Sequence, residues 1–370
     1  MTDQEYMRIA LQLAQSTMGQ TSPNPMVGAV VVKDGNIVGM GAHLRAGEEH
    51  AEVHALQMAG DQAYGATVYV TLEPCSHFGK TPPCCELLIE KQVKRVVIAS
   101  LDSNPLVSGN GKKRLQDAGI HITTGVLEEE ALSLNRYFFH YMKTKQPFVT
   151  IKTAMSLDGK IATVTGESKW ITGEKARKDV HQYRHTHDAI LVGVNTVITD
   201  NPHLTTRLPN GGQNPIRIIL DTHLRVPHSS HVITDGLAPT WIIVGKDVKK
   251  EKIDAYESQN VSVFQMKKSQ IEVRDLLSLL GEKQILSLFI EGGQSVHASF
   301  LEAKCFNEIV TYISPKLIGG KDAPTWFGGT GFIKLQDALS LEIQEMKQIG
   351  DDIKIIASKR SEVPTCLQGL

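Results

Sequence analysis

The run His50-Ala51-Glu52, followed by Pro74-Cys75 and then Cys84, offers one imidazole, two thiols and one carboxylate. Zinc in a catalytic site takes three protein ligands and keeps a fourth position for water. His50, Cys75 and Cys84 can be those three. Glu52 stands two residues after the histidine and need not bind metal. A metal-activated water beside an unligated Glu is the equipment for removing an exocyclic amine from a heterocycle, with the Glu moving protons. A closed structural zinc site would instead need a fourth protein ligand, and His54 or His77 could supply it. The compound pattern favours the catalytic reading: HxE stands before a strand, and PC stands at that strand's end. Eight residues separate the two cysteines, where the general deaminase signature is P-C-x-x-C. The inserted SHFGKTPP adds His77 and Lys80 near the metal, which suits a substrate carrying an anion. Cys84 follows two prolines at a helix start, a place that lowers a thiol pKa. Cys85 points elsewhere on that turn and is expected to pack.

These residues need a scaffold, and hydrophobic periodicity supplies one. Residues 3–18 have helical spacing. Strands are expected at 27–33 and 37–43, joined by Asp34-Gly35, a strong hairpin signal. A helix over 50–58 carries the HxE, and a strand over 66–72 ends beside Cys75. A short helix over 84–91, strand 94–100, helix 109–118, strand 120–124 and helix 128–142 complete a three-layer α/β domain. Asp102 and Asn104 lie just past the carboxyl end of strand 94–100, where α/β sheets bind ligands. Asn24 lies on the loop entering the first strand. Taken alone, each reads first as a turn residue.

The polar stretch 143–147 ends in proline, and the boundary is placed there. The domains expected are 1–145 and 146–361, with a frayed tail after Ser361. A second α/β series starts with FVTIKTAMSLDGKIA. Its strands are expected at 188–193, 216–220, 240–244, 285–290, 308–313 and 353–358. No G-x-G-x-x-G opens a helix after a strand, so a Rossmann site is not supported. Glu291-Gly292-Gly293 instead lies between a strand and a helix. There glycines permit close backbone approach, and free N–H groups can meet phosphate.

The 370-residue chain has 39 basic and 40 acidic residues, for a formal net charge of −1. Its short basic stretches are mixed with acids, which argues against nucleic acid as a partner. No apolar run is long enough to span a membrane. Five cysteines, an odd and unevenly spaced set without a signal peptide, do not form a disulfide framework. The expectation is a cytoplasmic protein with reduced thiols.

TSPNPMVGAVVV, HAEVHAL, TLEPCSHFGKTPPC and DSNPLVSGNG resemble the bifunctional deaminase/reductase family of riboflavin biosynthesis over nearly the whole chain. The resemblance implies a cytidine-deaminase-like domain followed by a dihydrofolate-reductase-like domain. It implies one zinc per chain on His50, Cys75 and Cys84, with Glu52 catalytic. The wide cysteine spacing is the family's own, and Cys85 is not part of its motif. Asn24, His43, Lys80, Asp102 and Asn104 match positions that hold the first substrate. In the second half Ala154, Trp170, Thr196 and Asp200 match NADPH contacts. So does the segment Gly293, Gln294, Ser295, Val296, His297, Ala298 and Ser299. Ser168, Arg184, Leu204, Arg207 and Glu291 match substrate positions, with Lys152 in the same pocket. From residue type alone, Trp170 could be core, Arg184 and Arg207 surface pairs, and Asp200 a turn residue. The implied substrates are phosphoribosyl-pyrimidines, deaminated and then reduced from ribosyl to ribityl, and a homo-oligomer is expected. Two other readings share some of these features. A nucleic-acid deaminase is opposed by the near-neutral charge and the cysteine spacing. A non-catalytic protein stapled by zinc is opposed by Glu52, which structure alone does not require.

Overall fold

The computed structural model describes residues 1–76, 82–102 and 109–360. They fall into two units, Met1–Gln146 and Pro147–Leu370. Among the described residues no helix is long and apolar enough to cross a membrane.

The first unit holds β1 (Gly28–Lys33), β2 (Asn36–Ala42), β3 (Thr67–Leu72), β4 (Arg95–Ser100) and β5 (His121–Thr124). They form one sheet in the order β2-β1-β3-β4-β5. The β2-β1-β3 pairs are antiparallel and the β3-β4-β5 pairs parallel. Asp34 and Gly35 close the β1-β2 hairpin with φ of 50° and 80°, as a two-residue turn with both central φ positive requires. Alternation along the strands then builds two cores. Ala29, Val31, Val68, Val70, Val96 and Ile98 pack with Ala51, Ala55 and Leu56 of the helix Ala51–Ala59. Val30, Val32, Tyr69, Val97 and Ala99 pack with Tyr6, Met7 and Ala10 of the helix Asp3–Gln15. Each fully buried aliphatic side chain contributes about 1.5–3 kcal/mol.

Two glycines set how close the helix Ala51–Ala59 lies to β2. A Cβ at Gly39 would stand 2.1 Å from the Ala55 carbonyl oxygen, and one at Gly41 would stand 2.3 Å from that of Ala51. Only glycine lets the backbones meet there. That helix has His50 as its N-cap and Glu52 in its first turn, so the strand glycines fix where the reactive groups sit.

The single helix expected over 128–142 is two helices, Glu128–Leu134 and Arg136–Thr144. Asn135 interrupts it. Its side chain accepts from the Met26 N–H and donates to the Met26 carbonyl, both at 2.8 Å. A reciprocal bond to the loop before β1 outweighs helical continuity.

The second unit holds β6 (Phe148–Ser156), β7 (Ala189–Gly193), β8 (Ile216–Leu220), β9 (Thr240–Val244), β10 (Val261–Gln265), β11 (Ser287–Ile290), β12 (Glu308–Ser314), β13 (Leu341–Ile349) and β14 (Asp352–Lys359). The sheet runs β10-β9-β8-β7-β11-β6-β12-β14-β13. It is parallel up to β12 and antiparallel beyond. Apolar clusters cover both faces. Sequence reading did not anticipate β10 and β13, the two edge strands. β13 is exposed along most of its length and rich in polar residues, and β10 is largely half-buried with Ser262 and Gln265 interrupting its apolar residues; edge strands lack the two-sided burial that makes an apolar run.

Candidate active sites

The helix Ala51–Ala59, the loop after β3 and the helix Cys84–Glu90 bring three donor atoms together. The ligating atoms of His50, Cys75 and Cys84 all lie within 4.8 Å of one another, the one such His/Cys/Asp/Glu group among the described residues. His50 Nδ1 is 3.3 Å from Cys84 Sγ and 3.6 Å from Cys75 Sγ. Neither His54 nor Cys85 belongs to the group. Cys85 is buried and directs its thiol to the Pro74 carbonyl at 3.3 Å. His77 and Lys80 lie outside the described residues.

Hydrogen bonding from the Cys84 thiol, and next from His50, pushes the Cys75 thiol down to about 4 against the effect of burial. The same contact, with burial next, pushes Cys84 up, so the thiol favoured as thiolate is Cys75 and not Cys84 as its place at a helix start implied. The thiolate is the metal-binding form, so the pair already favours the ionised state at one sulfur. One imidazole and two thiols at this spacing fit zinc. Glu52 is buried, and burial, with the Cys75 sulfur next, raises its carboxyl to about 7.

His43, just past β2, is buried. Its Nδ1 lies 3.1 Å from the Glu49 carbonyl and its Nε2 3.0 Å from Asn24 Nδ2. The carbonyl can only accept, so Nδ1 carries the proton and Nε2 accepts from the Asn24 amide. Burial lowers the His43 pKa and keeps that neutral form. Asn104 lies outside the described residues. Asp102 is placed by a residue the motif reading passed over. The buried Glu73 carboxylate accepts the N–H groups of Asp102 at 3.2 Å, Gly109 at 3.0 Å and Lys112 at 2.9 Å. Glu73 sits inside TLEPC, next to the proline that precedes Cys75. A carboxylate at the end of an otherwise apolar strand was the available signal.

In the second unit Arg184, on the helix Glu174–Thr186, forms a two-pronged ion pair with Glu291 at 2.6 and 2.9 Å. It also donates to the Thr205 carbonyl at 2.9 Å. The side chains of Arg184 and Glu291 are 12% and 9% exposed, so this is not a surface pair. Lys152 on β6 interacts with both charges, and burial lowers its ammonium pKa. Arg207 is exposed. Its backbone N–H donates to His181 Nδ1 at 3.2 Å. Burial, and next the Arg184 charge, lower its pKa. Leu204 is buried in the core with φ 53°.

Glu291 ends β11, and Gly292-Gly293 lead into the helix Gln294–Glu302. Gly293 has φ 79° and ψ 123°, a conformation essentially closed to residues with a Cβ. A Cβ on Gly292 would stand 3.2 Å from Thr196 Oγ1, so Thr196 and the glycine turn are neighbours. Free N–H groups of the first helical turn and a side chain-free cradle fit a dinucleotide phosphate. Within the segment, Val296, His297 and Ala298 are buried while Gln294, Ser295 and Ser299 are exposed. Ala154 lies on β6 and packs against the core. Asp200 ends the helix Val194–Asp200 and is exposed. Ser168 is half-buried on the segment before Trp170. Trp170 is 63% exposed under the Arg177 guanidinium, 4.7 Å from its ring centre, and is therefore not core.

The first unit is thus a deaminase-type zinc site on a mixed sheet, and the second an anion-binding α/β unit with a buried Lys-Arg-Glu cluster. Residues 1–100 match the cytidine and deoxycytidylate deaminase zinc-binding region, and residues 147–355 match the RibD C-terminal domain. The riboflavin biosynthesis protein RibD of Bacillus amyloliquefaciens is 53% identical over 357 residues, covering 96% of each chain. That of Escherichia coli is 42% identical, covering 95% of this chain and 98% of its own. Acinetobacter baumannii RibD superposes with a TM-score of 0.88 at 37% identity, over 97% of this chain and 99% of its own. A Thermotoga maritima diaminohydroxyphosphoribosylaminopyrimidine deaminase/5-amino-6-(5-phosphoribosylamino)uracil reductase superposes with a TM-score of 0.86 at 36% identity and the same coverage. The chain belongs to the RibD family of riboflavin biosynthesis. It is a bifunctional enzyme, a deaminase and an NADP-dependent reductase, with zinc and NADPH as cofactors.

Proposed function

We propose that the first unit deaminates 2,5-diamino-6-(5-phosphoribosylamino)pyrimidin-4-one. The second then reduces 5-amino-6-(5-phosphoribosylamino)uracil to its ribityl form. The observation that carries this is the convergence of His50, Cys75 and Cys84 within 4.8 Å beside the buried Glu52.

His50, Cys75 and Cys84 hold zinc, which when bound acts as a Lewis acid and activates water near neutral pH. Glu52 takes the proton of the attacking water and passes it to the ring nitrogen. It then takes the proton of the hydroxyl now on the ring carbon and delivers it to the amine, so that the carbonyl forms as the carbon–nitrogen bond breaks and ammonia leaves. His43 and Asn24, locked in one hydrogen-bonded arrangement, bind the pyrimidine with Asp102 and Asn104, and Lys80 meets the substrate's anion.

In the second unit the Gly293–Ser299 turn and helix hold NADPH, together with Ala154, Trp170, Thr196 and Asp200. NADPH when bound supplies the hydride. That hydride would go to the sugar's anomeric carbon, whose bond to the ring oxygen would break, the oxygen taking a proton from water as the ribose opens. Arg207 binds the substrate phosphate, for which a guanidinium fork is suited. Lys152, Ser168, Arg184, Leu204 and Glu291 shape the pocket around the sugar. The domains divide near 145. The enzyme acts in the cytoplasm. It does so as a homo-oligomer, and that second reading is supported by edge strand β13, which leaves Ile343 62% and Met346 67% exposed.

The test supplies the diaminopyrimidine nucleotide and follows ammonia and NADPH separately. Ammonia release must precede NADPH consumption, and withholding NADPH must stop only the second step. NADPH oxidation without prior ammonia release would overturn the order.

A further inference from the structure

The loop that carries Arg207 is tied to one helix by a pair of histidines. His181 and His185 are one turn apart on the helix Glu174–Thr186 and share its face with Arg184. His181 Nδ1 accepts the Arg207 N–H at 3.2 Å, and His185 Nδ1 accepts the Gln213 N–H at 3.0 Å. Arg184 adds a third tie through the Thr205 carbonyl at 2.9 Å. The loop is packed down as well as bonded: a Cβ on Gly212 would stand 3.2 Å from His185 Nδ1. An imidazole nitrogen accepts only when it carries no proton. The Arg207 N–H aimed at His181 Nδ1 places the proton of the neutral ring on its other nitrogen, and burial, and next the neighbouring Arg184 and Arg207 charges, hold the ring neutral by pushing its pKa down to about 4.

We propose that His181 and His185 are positioning residues for the reductase reaction: their Nδ1 atoms clip the 205–213 loop and fix the Arg207 guanidinium against the substrate phosphate. Arg207 is exposed, and a long exposed side chain loses rotamer freedom when it binds. Fixing the backbone at Arg207 itself lowers the cost of placing that side chain. The clip acts on substrate binding. The cofactor turn and the zinc site draw on other elements.

The inference rests on the reading that Arg207 binds phosphate, so the experiment separates the two. His181→Phe removes the acceptor at similar size, and His181→Asn restores one near the Nδ1 position. KM for the deaminated nucleotide, kcat, NADPH affinity and ammonia release are measured in the full chain. A lost hydrogen bond of ordinary strength predicts a KM about fivefold to tenfold higher in His181→Phe. His185→Phe should raise it further in the double variant, and His181→Asn should return it to within about twofold of wild type. NADPH affinity and ammonia release should hold throughout. In an Arg207→Ala background His181→Phe should add almost nothing, because there is no guanidinium left to position. If Arg207→Ala leaves KM unchanged, the phosphate reading fails. If Arg207→Ala raises KM but His181→Phe does not, or if His181→Phe has its full effect without Arg207, the clip is not what the histidines provide. A fall in NADPH affinity matching the rise in KM would likewise overturn the proposal in favour of a general structural role.

Discussion

His50 Nδ1 lies 3.3 Å from Cys84 Sγ across 34 residues of chain. The contact joins the N-cap of one helix to the first residue of another. Neither end is adjustable. The first helix is pressed onto β2 by Gly39 and Gly41, and the second is held by the Cys85 N–H bonding to the Cys75 carbonyl at 3.2 Å. A donor pair held this rigidly is preorganised for metal. Cys75→Ser and Cys84→Ser should each lose stoichiometric zinc. Cys85→Ala should keep it and cost only about 1 kcal/mol for the small buried group. Metal analysis of the three purified variants decides; zinc retained by Cys84→Ser and lost by Cys85→Ala would move the ligand by one residue.

Glu52→Gln keeps the size of the side chain and removes the proton carrier. Zinc content and fold should persist, while deamination falls by about 10²–10⁴, the usual contribution of a general acid–base group. NADPH-dependent reduction of an already deaminated nucleotide should continue. Ammonia release within threefold of wild type would end the assignment of Glu52.

The deaminase site was legible because its chemistry is local in sequence: His50 and Glu52 share one helical turn, and Cys75 and Cys84 flank one loop. The strands around it were legible because burial on both faces leaves apolar runs at 28–33, 67–72 and 95–100. What escaped depends on partners far along the chain. Glu73 looks like an ordinary motif residue until Asp102, Gly109 and Lys112 all donate to it. His181 and His185 carry no motif, and only the return of the 205–213 loop gives them a role. Arg184 was legible as a pocket residue, but its pairing with Glu291 across 107 residues was not. The break at Asn135 has the same origin, since helical periodicity continues through it and only the contact with Met26 interrupts it.

Gly293 tests the cofactor reading. Its φ of 79° and ψ of 123° admit few residues other than glycine. A Cβ built there would meet Thr196 Oγ1 at 3.7 Å and Val296 at 3.9 Å. Space is therefore adequate, and the constraint is the backbone. Gly293→Val should re-aim the first-turn N–H groups and weaken NADPH binding at least tenfold, with ammonia release unchanged. Titration of NADPH by fluorescence reads this directly. Unaltered affinity would show that the turn is only a bend.

His297 makes the second unit sensitive to acid. It is buried, and its Nδ1 lies 3.0 Å from the Trp326 carbonyl, which fixes the proton on that nitrogen. Its Nε2 is buried with no hydrogen-bond partner among the described residues. Burial pushes the pKa down to about 4, against about 6.5 in an unfolded chain. The unfolded state therefore takes up a proton first as pH falls. The stability tied to neutral His297 is fully present above about pH 6.5 and drains towards pH 4, by about 2–3 kcal/mol at pH 4.5. His297→Gln, which cannot be protonated, should lose less stability than wild type over the same interval. Urea unfolding followed by tryptophan fluorescence reads the second unit, because Trp170, Trp241 and Trp326 all lie in it. Midpoints at pH 7 and pH 4.5 for both proteins give the difference. Parallel losses in the two proteins would assign the acid sensitivity to other groups, His181 first among them, since it too is pushed down to about 4.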